Sequence, residues 1–222
     1  MALLRSSLGQ DSGPLVRGDG VMLRSATMAD YSAWAELRTL SRDHLVPWEP
    51  TWTRDELTRT AFRRRVRHYQ REAREDLGYG FLIFADASSQ AMAATYGGVR
   101  GPALSGKGTT LIGGLTLSNV RRGVTQAATL GYWLGAPFTG RGLMSASLSA
   151  ITAFAFDVLR LHRIEAAVMP SNLPSIRLIE RCGFQREGLA RRYLKINGTW
   201  EDHLSYALLA EDNGRPVPGD LE

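Results

Sequence analysis

Cysteine is nearly absent: Cys182 is the only one among 222 residues. That excludes a disulfide framework within the chain and any metal site built from clustered cysteines. The four histidines, His44, His68, His162 and His203, are scattered without metal-ligand spacing, so no metal is expected. Lysine is almost missing too. Lys107 and Lys195 are the only two, and arginine supplies the rest of a formal net charge of +5. Such a balance favours anionic partners (nucleotide-like cofactors, RNA-rich particles, membrane surfaces) without choosing among them. No extended hydrophobic region occupies Met1 to Gln10, and the longest charge-free apolar run, Gly142 to Phe156, is too short to span a bilayer. A cytoplasmic protein with no membrane partner is the expectation. Acidic residues are missing from the middle of the chain, with no Asp or Glu between Ala87 and Phe156.

The length suits one domain, expected over residues 21–212, between a flexible Gly-containing leader (1–20) and a short tail (213–222). Val21 to Ser25 reads as a strand. Asp30 caps a helix to about Leu40 that places Trp34 and Leu37 on one face. A proline-bounded loop, Asp43 to Pro50, leads to a charged helix over Thr53 to Asp76. Its eight arginines and five acids read foremost as a solvated face with i,i+4 ion pairs. Strands are expected at Gly80–Ala85, Leu111–Asn119 and Ala128–Leu134, with a weaker signal near Met92–Val99. A long helix over Gly142 to Leu159 sets Met144, Leu148, Ile151, Ala155 and Val158 at helical spacing.

Arg163 to Met169 reads as a strand, followed by a helix capped by Ser171 or Asn172, with Pro174 in its first turn and Gly183 at its end. Asn197-Gly198 is a two-residue hairpin signal. On the last strand Trp200, Asp202, Leu204, Tyr206 and Leu208 share one face. The order of elements makes an α/β fold, a mixed and mostly antiparallel sheet with helices on both faces.

The segment Leu130 to Met144 carries the chemistry. It runs from an apolar strand through a turn with Pro137, Gly140 and Gly142 into the long helix. A glycine turn at a helix N-terminus offers unpaired N–H groups and the positive end of the helix dipole, a ready phosphate site. A P-loop would need Lys-Ser/Thr after the last glycine, where Leu143-Met144 stands; a dinucleotide fingerprint would need glycine at position 145, where serine stands. A plain strand-to-helix turn is the remaining alternative.

Four features together resemble the Gcn5-related N-acetyltransferase (GNAT) family. Thr139-Gly140-Arg141-Gly142-Leu143-Met144 is similar to the Gln/Arg-x-x-Gly-x-Gly/Ala signature, matching at Gly142 and departing at Thr139 and Met144. Asn172-Leu173-Pro174-Ser175 and Cys182-Gly183-Phe184 resemble the steps that open and close the helix after the family's fifth strand. The run Gly183 to Gly188 with Asn197 to His203 resembles the closing hairpin of the RimJ/RimL branch, which acetylates ribosomal proteins. Leu45 to Pro50 resembles that branch's loop after the first helix.

The resemblance implies a GNAT-like fold and an enzyme that transfers acetyl from acetyl-CoA to a primary amine by direct attack. It places the pyrophosphate on Thr139, Gly140, Arg141, Gly142, Leu143 and Met144, and the pantetheine arm along Trp133 and Leu134 and beside Asn172. The tyrosine that many relatives use to protonate the leaving thiolate is replaced by Ile179. Ser175 is then the catalytic candidate, with a first-turn backbone hydrogen bond as its plainer role; for Asn172 helix capping alone would suffice. Trp48, Glu49, Tyr193, Trp200 and Asp202 are expected to line the acceptor cleft. The base would come from Glu49, Glu187, Asp202, His203 or ordered water.

An α-amine, with a pKa of about 7.7–8.0, is partly neutral at pH 7, whereas a lysine amine at about 10.4 is not. The expected acceptor is therefore a protein N-terminus, with a ribosomal protein as the branch-level expectation. A small-molecule amine is the nearest alternative, and a nucleic-acid-binding module using the arginine-rich helix is the rival from another class. That helix lacks interleaved aromatics, so no stable nucleic-acid binding is expected. The chain would act as a monomer or homodimer.

Overall fold

The computed structural model describes residues 13–86 and 108–215. The strand signal near Met92–Val99, the leader up to residue 12 and the tail from residue 216 lie outside the described residues. The described chain forms one eight-stranded sheet, β1 (Leu15–Gly18), β2 (Val21–Arg24), β3 (Tyr79–Ala85), β4 (Thr110–Arg121), β5 (Ala127–Leu134), β6 (Arg163–Val168), β7 (Gln185–Ile196) and β8 (Thr199–Leu209). The spatial order is β1-β2-β3-β4-β5-β6-β8-β7. Only β5 and β6 run parallel; every other pair is antiparallel.

The helices are α1 (Tyr31–Leu40), a short α2 (Arg42–Leu45), α3 (Arg59–Arg74), α4 (Leu143–Ala153) and α5 (Leu173–Arg181). Consecutive strand residues show that both sheet faces are covered. A Cβ on Gly80 would meet the ring of Tyr69 on α3, while the neighbouring Phe81 packs edge-on against Phe154, just beyond α4. Gly135 rests on Leu37 of α1 and Gly18 on Ala146 and Ala150 of α4. Buried on both sides, β3 is apolar throughout instead of alternating.

Several expectations change. Residues 15–18, read as part of a leader, form β1, because Val16 is buried once Leu15–Gly18 pairs with Val21–Arg24. The arginine-rich helix starts at Arg59, where the Thr58 hydroxyl accepts from the Ala61 N–H at 3.2 Å. The preceding turn instead supplies Asp55 and Glu56 as partners for Arg64 and Arg65, each at 2.5 Å, in place of most of the expected i,i+4 pairs. The Asp43–Pro50 loop contains α2 and a 3₁₀ turn at Val46–Trp48. The long helix passes into a π turn at Phe154–Val158, where Leu159 N–H donates to the Phe154 carbonyl. That wider turn rotates Val158 out to 45 % exposure, away from the buried face that holds Ala155. The Asn197-Gly198 turn is as expected, with φ of 43° and 89°, both left-handed.

One buried pair fixes the entry to α1. The Asp30 carboxylate, 1 % exposed, accepts from Arg24 Nη1 and Nη2 at 2.8 and 2.6 Å and from the Thr27 N–H at 2.7 Å. Burial pushes this carboxyl upward, but Arg24 and Thr27 outweigh it and hold it below the usual carboxylate range. Asp30→Ala should cost about 3 kcal/mol, read by urea denaturation at pH 7. The carboxylate's contribution is complete above its unfolded pKa of about 3.9 and is lost as pH falls through the lower folded value. The gap between wild type and variant should therefore narrow below about pH 4.

Candidate active site

The site begins where two strands part. The β5–β6 ladder runs only from Ala127↔Arg163 to Leu130↔Ala166. Beyond it Gly131 to Leu134 stay paired with β4, while Ala167 and Val168 stay paired with β8. The β6-facing edge of β5 is thus left without a neighbouring strand at Gly131–Leu134, and a cleft opens there. Such an edge presents backbone N–H and C=O groups ready to accept an extended ligand as an extra strand.

A cavity of about 620 Å³ occupies this cleft. Trp133, Leu134 and Thr139 to Met144 line it from one side, and Asn172 and Ser175 from the other. Gly140 and Gly142 both have left-handed backbone, with φ of 73° and 75°, and a Cβ on either would point into open space. The first helical bond of α4 closes from the Ala146 N–H to the Gly142 carbonyl. The amides just before it therefore lie ahead of the hydrogen-bond ladder, at the positive end of the dipole. Thr139 Oγ1 donates to the Ala136 carbonyl at 3.0 Å, which steadies the turn. Asn172 caps α5 by accepting from the Ser175 N–H at 3.2 Å.

A second cavity, of about 560 Å³, lies against Trp34, Arg38, Trp52, Tyr69 and Glu56. Glu49, Tyr132 and Trp133 line both cavities. Arg38, 4 % exposed, donates through Nη1 and Nη2 to the two Glu49 carboxylate oxygens at 2.7 Å each, and Trp52 Nε1 adds a third donor at 2.7 Å. The guanidinium lies over the Trp52 and Trp133 rings, 4.4 and 5.0 Å from their centroids. The Glu49 carboxylate is accordingly fixed in place with few acceptor positions left over.

Of the carboxylates weighed as a base, Glu49 alone reaches these cavities. Glu187 pairs with Arg163, and Asp202 accepts from the Arg192 N–H at 2.7 Å in the irregular part of the β7–β8 hairpin. His203 is buried with Nδ1 3.0 Å from the Glu201 carbonyl. Tyr193, Trp200 and Asp202, expected in the acceptor cleft, line neither cavity. Trp200 is 58 % exposed, and the hairpin meets the Glu49 loop through the Asn197 N–H, which donates to the Glu49 carbonyl at 2.9 Å.

Sequence reasoning missed Arg38, Trp52, Glu56 and Tyr132. An arginine one residue after Leu37, on the apolar side of α1, was the available signal for the first. Burial pushes the Cys182 thiol up, which suits a packed residue and not a nucleophile. Among the described residues no group of three or more His, Cys, Asp or Glu side chains could hold a metal ion.

Residues 21–185 match the family model described as an acetyltransferase (GNAT) domain. The chain belongs to the GNAT acetyltransferase family. It is 33 % identical over 199 residues to "Probable N-acetyltransferase YjcK" of Bacillus subtilis (strain 168), covering 90 % of this chain and 99 % of the relative. It is 30 % identical to the "[Ribosomal protein uS5]-alanine N-acetyltransferase" of Escherichia coli (strain K12), over 82 % of this chain and 85 % of that protein. The solved structure "Mycobacterium smegmatis RimJ in complex with CoA-disulfide" superposes with a TM-score of 0.75 at 32 % identity, covering 94 % of this chain and 91 % of that one.

This GNAT site depends on small residues beneath it. A Cβ on Gly114 would lie 2.4 Å from Trp133 Nε1, so the indole lies flat on β4 only because glycine is there. Gly114→Ala should lower stability by about 1–3 kcal/mol through overpacking. The near-UV circular dichroism should change with it, as the ring and the stacked Arg38 move.

Proposed function

We propose that this protein transfers the acetyl group of acetyl-CoA to the N-terminal α-amine of a protein, with a ribosomal protein as the acceptor class. The observation that carries the reading is the meeting of two cavities at the unpaired edge of β5. One of them ends on the left-handed glycine turn of α4. In this reading the diphosphate rests on the amides of Gly140 to Met144, with Arg141 and Thr139 alongside, and the pantetheine arm pairs with Trp133 and Leu134 near Asn172. The acceptor enters through the second cavity, its amine directed by the fixed Glu49 carboxylate with Trp48 nearby. Ser175 serves the leaving thiolate.

The acceptor class draws support from the relatives, since one named for the alanine of ribosomal protein uS5 aligns across most of this chain. It also draws on proton chemistry. The described cavities hold Glu49 and Glu56 as their carboxylates, both engaged by arginines. An α-amine, already partly neutral at pH 7, asks less of such a site than a lysine amine does.

Two measurements test this. Gly142→Val puts a β-branched side chain at a left-handed position facing the cavity, and should weaken CoA binding at least about tenfold in calorimetry. Unchanged affinity would place the diphosphate elsewhere. Peptides with a free N-terminus and an internal lysine, incubated with acetyl-CoA, should gain one acetyl group at the α-amine by mass spectrometry. Acetylation confined to lysine, or to small amines, would replace the proposed acceptor.

A further inference from the structure

Tyr132 has a feature that its neighbours on β5 lack. Its hydroxyl oxygen is buried and has no hydrogen-bond partner among the described residues. A buried polar atom left unpaired costs stability, so natural structures seldom keep one without use. The residue sits on the unpaired stretch of β5, in the wall common to both cavities. The alternation of the strand turns Tyr132 away from the side on which Trp133 stacks with Arg38. Tyr132 and Ser175 line the same cavity; burial pushes the phenol upward and Ser175 opposes that shift. The two hydroxyls thus share one cavity and do not meet in a well-formed hydrogen bond.

We propose that Tyr132 and Ser175 form a two-hydroxyl proton relay, with Tyr132 as the buried proton source behind Ser175 at the cavity surface. The relay rests on the reading that Ser175 serves the leaving thiolate. An aliphatic hydroxyl is a poor acid alone, and a phenol gives up its proton far more readily. As the amine nitrogen bonds to the acetyl carbon, the carbon–sulfur bond breaks and its electron pair goes to sulfur. Ser175 O–H gives its proton to that sulfur and takes one from Tyr132 O–H through a bridging water. The proton shed by the acylated nitrogen returns to Tyr132 through water, so the coenzyme leaves as a thiol and the protein ends unchanged. Tyr132 acts through Ser175 and is a positioning and relay residue.

The test is Tyr132→Phe beside Ser175→Ala, each measured for melting temperature, CoA affinity and turnover. Phe keeps the ring and removes only the unpaired hydroxyl. Melting temperature should hold or rise and CoA affinity should stay within about twofold, while kcat falls about 10²-fold. The double variant should be no slower than the slower single one, since both remove one device. With the selenium analogue of acetyl-CoA, whose leaving selenolate needs no proton, the loss in Tyr132→Phe should nearly vanish. A structural role would lower the melting temperature and slow both donors alike. If Ser175→Ala is slow and Tyr132→Phe is not, the relay is wrong and Ser175 acts without it. If neither variant is slow, the role of Ser175 falls and the relay with it.

Discussion

The separation of β5 from β6 after four parallel pairs governs everything else in this molecule. Both strands continue beyond Leu130 and Ala166, but each is claimed by a different neighbour: β4 holds β5 and β8 holds β6. A sheet twists, and strands with outside partners on only one side can diverge without losing their remaining ladders. The divergence turns a buried strand into an edge inside the protein. Exposed edges invite pairing with other chains. Here the edge lies in a cleft lined by side chains, where an extended ligand can reach it.

Around that edge the fold arranges two kinds of rigidity. The glycine turn fixes amides by backbone geometry alone, through two left-handed residues and the start of α4. The Glu49 carboxylate is fixed by side chains from two separate places, Arg38 from α1 and Trp52 from the loop beyond, and Trp133 of β5 packs against the Arg38 guanidinium. Removing Arg38 would leave a half-buried carboxylate short of partners and two indoles without the cation they pack against. The placement of the Glu49 carboxylate and the packing of α1 are therefore one structure, and substitutions there would alter both.

The parts of the site that could be read in advance are those whose conformation is decided within a few residues. Gly140 and Gly142 are left-handed because the turn demands it, Asn172 caps because its side chain reaches the Ser175 N–H, and Asn197-Gly198 turns the hairpin. Trp133 and Leu134 belong to the same stretch and were legible with it. The structure departs from the sequence reading where a contact far away in sequence decides the outcome. Val16 is buried only because β2 pairs with β1. Trp200 and Tyr193 lie on the closing hairpin and line neither cavity, and the hairpin's place in the sheet is set by its pairing with β6.

The sequence by itself determined the glycine turns, the Asn172 cap, the apolar strands and the family, because steric limits on φ and local hydrogen bonds act over short spans. Only the tertiary structure decided that Arg38, Glu49, Tyr132 and Ser175 converge at one cleft. Their meeting depends on which strand neighbours which, and on where a shared ladder ends. That choice is made by the burial of the whole sheet, and no local run of residues carries it.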